Sequence, residues 1–224
     1  MTTEGDEHGD RAAFLGGLRR RLADGVPPNP VHPLPPPVDE VPRIVPSTLE
    51  SGDLASVFTA MAERAGAVVH RLACLDRLDG LLRSVVADRD MKTAVVSADP
   101  DARAAGEMLT GSGVSVMDLA MGAADADLGV TGAVVGIAAT GSVVQASAQS
   151  GGRVVSLLPR NHLCILRQAQ LVATTRDAFE RIAADDRSSN VVVITGPSRS
   201  GDIEQLLITG VHGPTRVDIV LVAG

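Results

Sequence analysis

Short apolar runs without polar alternation are the feature that most constrains the fold of this 224-residue chain. Three of them are rich in β-branched residues: AVVS at 94–97, NVVVIT at 190–195 and VDIVLV at 217–222. Such runs are typical of strands buried on both faces, as in parallel sheets, which need helices on both sides. Helical patterns lie between them, so the sequence predicts an α/β domain with a mixed, largely parallel sheet and flanking helices.

The individual elements follow from periodicity and from start and stop signals. After residue 132, glycine turns at 140–141 and 150–152 separate β-rich runs, which favours a region of antiparallel hairpins. The predicted helices in the α/β domain are 53–65, 75–88, 101–109, 176–184 and 198–207. The predicted strands are 67–72, 93–97, 114–119, 133–139, 142–147, 153–158, 163–168, 190–195 and 217–222.

Proline marks the domain organisation. Nine of the thirteen prolines lie between Pro27 and Pro46, and proline removes an amide donor and fixes φ. Residues 26–50 are therefore predicted to form a semi-rigid linker, with a motif for a proline-binding groove as the alternative. Residues 1–25 are predicted to form an N-terminal helical segment, with an amphipathic pattern at 10–23, and residues 51–224 are predicted to form the α/β domain.

Composition excludes several classes of function. The chain has a net charge of −7 and contains three Phe, no Tyr and no Trp. Without a basic run or rings for base stacking, nucleic acid is not expected as a partner. No run approaches the ~18 apolar residues of a membrane span. The polar, acidic start does not resemble a signal peptide, so we expect a cytoplasmic protein.

The cysteine and lysine content also restricts the chemistry that the chain can perform. Cys74 and Cys164 stand ninety residues apart, without the C-x-x-C pattern of structural zinc or iron–sulfur sites. We therefore expect no metal or cofactor held by this chain and two buried thiols. Lys92 is the sole lysine, so Schiff-base chemistry would have to use it.

The segment from Ile194 to Pro214 carries the strongest candidates for ligand binding. A strand runs into Thr195, Gly196 and Ser198, where a helix is predicted to begin. The first amides and the dipole of that helix would form an anion site at the carboxyl edge of the sheet, although Ser198 could simply cap the helix. Arg199 is disfavoured at a helix N-terminus and suits a carboxylate or phosphate.

Two further segments supply candidates. Thr140, Gly141 and Ser142 could form a nest for an anion or an ordinary hairpin turn. Pro159 breaks a predicted strand and presents Arg160 and His162, of which Arg160 could grip an anionic ligand.

The sequence does not identify a catalytic residue. The candidates for acid–base chemistry are Asp202, Glu204 and His212, the last in a loop between two glycines. Within the α/β pattern we find no nucleotide-binding fingerprint and no G-x-S-x-G elbow.

The runs ATGSVV at 139–144, SLLPRNHLCIL at 156–166 and ITGPSRSGDIEQLLITGVHGP at 194–214 resemble the lactate utilization protein C family, whose members share the LUD domain. The resemblance implies a fold related to the ribose-5-phosphate isomerase, glucosamine-phosphate deaminase and CoA-transferase group. It also implies a bacterial role in oxidising L-lactate to pyruvate with two iron–sulfur partner proteins, so that the clusters are expected only on those partners.

One departure from the family bears on mechanism. Members often carry an acidic residue just before Thr-Gly, where this chain has Ala139, which argues against acyl transfer through a glutamate. The leading hypothesis is a subunit of a lactate-oxidising system that binds a small anion. The alternative is a free-standing isomerase, ligase or transferase acting on a phosphorylated sugar, a folate or a CoA ester. A structural scaffold is a third, and a homo-oligomer is compatible with each.

Overall fold

The computed structural model describes residues 16, 17, 20, 53–147, 153–185, 190–200, 208–209 and 212–224. The chain forms two compact units, Met1–Ile44 and Val45–Gly224. In the first unit, Gly16, Gly17 and Arg20 are helical. The predicted linker at 26–50 lies outside the described residues.

A fully parallel six-stranded sheet forms the centre of the second unit. In spatial order its strands are β1 (Val68–Leu72), β12 (Arg216–Val222), β7 (Asn161–Arg167), β4 (Leu128–Gly132), β2 (Thr93–Val96) and β3 (Ser115–Val116). All five neighbouring pairs are parallel. The central strands β12, β7 and β4 are almost entirely buried, so the sheet needs cover on both faces.

Two helices cover the first face: α2 (Leu78–Asp88), which follows a 3-10 turn at Leu75–Arg77, and α3 (Pro100–Gly111). Their apolar residues pack on β4, β7 and β12 through a cluster that includes Leu82, Leu109 and Leu163. Asp99 caps α3 by accepting the Ala102 amide at 2.9 Å.

The second face carries α1 (Leu54–Arg64), α4 (Leu119–Gly122), α5 (Val154–Leu157) and a second sheet. Helix α1 begins at the N-cap Asp53, whose carboxylate accepts the Ala55 amide at 3.1 Å. Phe58 of α1 is fully buried in a cluster with residues of β7 and β12.

The second sheet has four strands in the order β8 (Leu171–Val172), β5 (Val135–Ile137), β6 (Ser142–Ala146) and β9 (Val191–Ile194). Strand β6 is antiparallel to both β5 and β9, whereas β5 and β8 are parallel. A 3-10 turn at Gln168–Gln170 precedes β8, and α6 (Thr175–Asp185) packs on this sheet through Ala178 and Ile182. A short antiparallel pair, β10 (Arg199–Ser200) and β11 (Ile208–Thr209), follows β9.

The predicted fold class, a mixed α/β protein with a largely parallel sheet and flanking helices, is confirmed. The hairpin region is correct for β5 and β6, but β7 joins the parallel sheet, and its neighbour β4 was not predicted as a strand. The strand predicted at 114–119 is reduced to β3, after which the chain enters α4.

Three predictions about individual elements differ from the structure. Residues 154–157 form helix α5 rather than a strand, and this helix packs closely on β4: a Cβ on Gly129 would overlap the carbonyl oxygen of Val155. The run at 190–195 does form a strand, β9, but it is not buried on both faces: it pairs antiparallel with β6 in the second sheet and leaves Val193 43% exposed. The helix predicted from residue 198 does not begin there, because residues 199–200 are extended and pair with β11.

In the part of the chain that the structure describes, no helix combines the length and the apolar character that a bilayer crossing requires.

Candidate functional site

Three hydroxyl groups from two predicted segments come together where β6 and β9 pair. The pairing of Val143 with Ile194 places Ser142 opposite Thr195. The Ser142 hydroxyl lies 2.6 Å from that of Thr140 and 2.7 Å from that of Thr195. Ser142 is buried, whereas Thr140 and Thr195 are exposed. The hydroxyl cluster is therefore already bonded internally through Ser142.

The glycines of these two turns are required by packing. Gly141 and Gly196 have φ of 65° and 75°, a conformation that favours glycine. A Cβ on Gly141 would overlap the backbone nitrogen of Ala62, and one on Gly196 would overlap the carbonyl oxygen of Ala65. Both turns thus rest on the C-terminal end of α1, which carries partial negative charge and disfavours an anion.

Arg199 lies at the same helix end. A Cβ on Gly66 would overlap its guanidinium, and a cation is favoured beside a helix C-terminus. The Ser198 amide donates to the Pro214 carbonyl at 3.0 Å rather than opening a helix. The helix start that was predicted to supply the anion site is therefore not found at residues 198–200. The candidates Asp202 and Glu204 lie outside the described residues.

An exposed cleft of about 500 Å³ lies where β7 and β12 begin. It brings together Arg160 and His212, two candidates from separate motifs. The amide and hydroxyl of Thr215 donate to the Arg160 carbonyl at 2.8 and 3.0 Å, which joins the two segments. The lining residues are Leu157, Leu158, Pro159, Arg160, His212, Gly213 and Thr215.

This cleft does not lie at the edge of the sheet where the sequence predicted a ligand site. Arg160 and His212 precede their strands, so the cleft lies at the amino edge of the parallel sheet, not at its carboxyl edge. Ser198 adjoins it, since a Cβ on Gly213 would lie 3.3 Å from the Ser198 Cβ.

The Arg160 guanidinium has no hydrogen bond or ion pair among the described residues. Its charge acts on Asp127, a carboxylate that accepts the amides of Lys92 and Thr93 at 2.8 and 3.0 Å. Burial raises the pKa of Asp127, but these hydrogen bonds and, to a smaller extent, the Arg160 charge hold it below its ordinary value. Because Asp127 already has its own donors, the exposed Arg160 is available to an external anion.

His162, the other candidate of this segment, lies in the core. Its Nε2 is 2.8 Å from the Thr131 hydroxyl and 3.3 Å from Nε2 of Gln145, and the ring is fully buried. Burial lowers the pKa of the imidazole to about 4, so it is neutral at pH 7. Burial raises the pKa of the neighbouring Cys164 thiol to about 12. Neither side chain reaches the cleft.

The carboxyl edge of the sheet is occupied by the protein's own charges. Asp99 accepts hydrogen bonds from the Ser97 hydroxyl at 2.8 Å and from the Gly132 and Ala102 amides. Arg167 binds both carboxylate oxygens of Asp101 at 2.8 and 2.6 Å. A small cleft of about 130 Å³ lies beside these residues. The Ala102 and Arg103 amides at the start of α3 thus already have acceptors within the protein.

One buried ionic cluster was missed from the sequence. Asp218 of β12 is fully buried and binds Arg89 through both oxygens, at 2.6 and 2.9 Å, and His70 at 2.9 Å. Burial raises the pKa of Asp218, but the hydrogen bonds and charges of His70 and Arg89 outweigh it and lower the pKa. The lone charge within VDIVLV was the available signal. Across the described ranges no group of three or more His, Cys, Asp or Glu side chains could hold a metal.

The fold and the site define an α/β protein with a parallel central sheet and a ligand-sized cleft at its amino edge. A family model described as the LUD domain matches residues 55–222, and the chain belongs to that family.

Its relatives include lactate utilization protein C from Halalkalibacterium halodurans, 33% identical over 161 residues, with 66% of this chain and 70% of the relative covered. The protein of the same name from an Exiguobacterium species is 40% identical over 102 residues, which cover 43% and 44% of the two chains. The Bacillus subtilis protein is 36% identical over 107 residues, covering 45% and 44%. The last two matches span less than half of those relatives.

A solved structure shows the same fold. The crystal structure of a DUF162 family protein from Deinococcus radiodurans superposes with a TM-score of 0.57 at 23% identity and covers 75% of this chain and 96% of that one.

Proposed function

We propose that this chain acts in the cytoplasm in bacterial lactate utilization, as a subunit of a system that oxidises L-lactate to pyruvate with iron–sulfur partner proteins. The names of its relatives support the process. The chain has two cysteines, too few to ligate a four-cysteine cluster, so the partners would carry the clusters. Its own part is to bind an anionic ligand.

The observation that carries this proposal is the meeting of Arg160 and His212 in one exposed cleft. A guanidinium can bind both oxygens of a carboxylate, a contact stronger than a neutral hydrogen bond. An imidazole on the same cleft can bond to a hydroxyl or keto oxygen beside that carboxylate and exchange a proton with it. The pair therefore suits a 2-hydroxy or 2-keto acid.

The cleft volume favours a second candidate, a free-standing isomerase, ligase or transferase. About 500 Å³ falls within the range of sites for larger organic ligands. A thermal-shift screen separates the two, because a bound sugar phosphate, folate or CoA ester raises the melting temperature by mass action. A rise with one of these ligands and none with lactate or pyruvate would favour the enzyme.

The test of the main proposal is growth on L-lactate after deletion of the gene. Complementation with the wild type should restore growth, whereas Arg160→Gln should restore it poorly. Arg103→Gln is the matched control, since Arg103 is an exposed arginine on α3, which covers the first face of the sheet. Normal growth of the deletion strain would refute the role in lactate utilization, and full rescue by Arg160→Gln would refute the site.

A further inference from the structure

The cleft at Arg160 and His212 has more volume than a three-carbon acid needs. Lactate and pyruvate each have six heavy atoms. A water molecule, with one heavy atom, takes about 30 Å³ in the liquid, so such an acid needs at most about 180 Å³. The cleft offers about 500 Å³. A three-carbon acid bound at Arg160 would leave most of it to solvent.

Three consecutive apolar residues, which we call the leucine wall, line part of the cleft. Leu157, Leu158 and Pro159 directly precede Arg160 in the chain, and Leu158 is 51% exposed. The wall is held in place by helix α5, where Val155 is fully buried and packs over Gly129. Isolated exposed leucines are common, but here the exposed leucine and its apolar neighbours line a cleft beside a cation.

The cleft is also lined by His212 and Thr215, whose side chains are polar. A ligand that fills the space would meet a cation, hydrogen-bonding groups and apolar surface. Burying apolar ligand surface on the leucine wall is favourable, whereas burying a polar group there without a partner is costly.

We propose that the cleft binds an amphipathic carboxylate: a carboxylate held by Arg160 and joined to an apolar chain or ring that packs on Leu157, Leu158 and Pro159. This inference rests on the proposed function for the location of the anion site and goes beyond it in the class of ligand.

A series of acids of increasing length tests it by calorimetry with the full chain: lactate, butyrate, hexanoate and octanoate. Each buried methylene contributes about 0.8 kcal/mol, so the Kd should fall about fourfold per methylene while the chain covers the wall. Leu158→Ser should flatten this dependence. Arg160→Gln should weaken every acid in the series that binds the wild type. Phe179→Ser is the matched control, because Phe179 is a 50% exposed apolar residue on α6.

The outcomes separate the two proposals. Lactate binding as tightly as octanoate, in an Arg160-dependent way, would overturn the amphipathic ligand and keep the anion site. No binding by any acid, in a protein whose deletion still abolishes growth on lactate, would overturn the cleft as the site and keep the role. A chain-length dependence that survives Leu158→Ser, with the variant's melting temperature unchanged, would overturn the leucine wall.

Discussion

Protonation of His162 should limit the stability of the fold in mild acid. Burial lowers the pKa of this imidazole to about 4, against 6.5 for an ordinary histidine. As the pH falls below 6.5 the unfolded chain binds the proton before the folded chain does. The contribution of the neutral ring is therefore complete above pH 6.5 and is lost between pH 6.5 and 4. With each pKa unit worth 1.36 kcal/mol, the loss is about 3 kcal/mol.

Urea denaturation at half-unit pH steps measures this loss. His162→Gln should be less stable at pH 7, because the Thr131 and Gln145 side chains lose a partner, but its stability should fall less between pH 6.5 and 4. Val217→Ala is the control: Val217 is buried and pairs with His162 across the sheet, so this variant is destabilised without losing a titrating group. It should keep the wild-type pH slope.

A second measurement uses the wild-type protein alone and does not require that a variant folds. In the wild type, the imidazole resonances of His162 should titrate with a midpoint near pH 4. A midpoint near 6.5, or a His162→Gln variant with the full wild-type slope, would refute the assignment of the acid sensitivity to this buried ring.

Further predictions concern stability. Gly141→Ala should lower the free energy of unfolding by at least about 2 kcal/mol, because it combines a positive φ with overlap on helix α1. Gly80→Ala, in an open helical position, should raise that free energy by as much as about 1 kcal/mol. Equal melting temperatures for the two variants would contradict the packing argument. Asp218→Asn should cost about 3–5 kcal/mol in urea denaturation, because Arg89 loses its buried carboxylate partner, and replacing both residues by apolar ones should recover much of the loss. Asp99→Ala should cost about 1–2 kcal/mol, measured by thermal melting, since α3 loses its N-cap; a neutral effect would show that water replaces the carboxylate.

The local sequence pattern was sufficient to predict elements in which each face is uniformly apolar or uniformly polar. The helices at 54–64, 78–88 and 175–185 and the strands at 93–96 and 216–222 lie within a few residues of their predicted bounds. It failed at 154–157, where a short, largely apolar segment fits a strand and a helical turn equally well; the absence of a Cβ on Gly129 leaves room for the helical turn to pack on β4. It failed again at residue 198, since a cap signal cannot reveal that the following residues pair with a strand eight residues later.

The sequence showed the candidate residues but not which of them come together. Arg160 shares a cleft with His212 rather than with Arg199, and Thr140 and Ser142 contact Thr195. Arg199 lies at a helix C-terminus rather than at an N-terminus, because the strand before it belongs to the second sheet.

By itself, the sequence determined the class of fold, and its motifs gave the resemblance to the family. The class of fold follows from local apolar patterns, because these depend on contacts between near neighbours in the chain. Only the tertiary structure decided that the exposed cleft opens at the amino edge of the parallel sheet, that His162 is a buried neutral ring, and that Asp99 and the Arg167–Asp101 pair lie at the carboxyl edge. Those outcomes depend on strand order and on which faces meet, and both are set by residues far apart in the sequence.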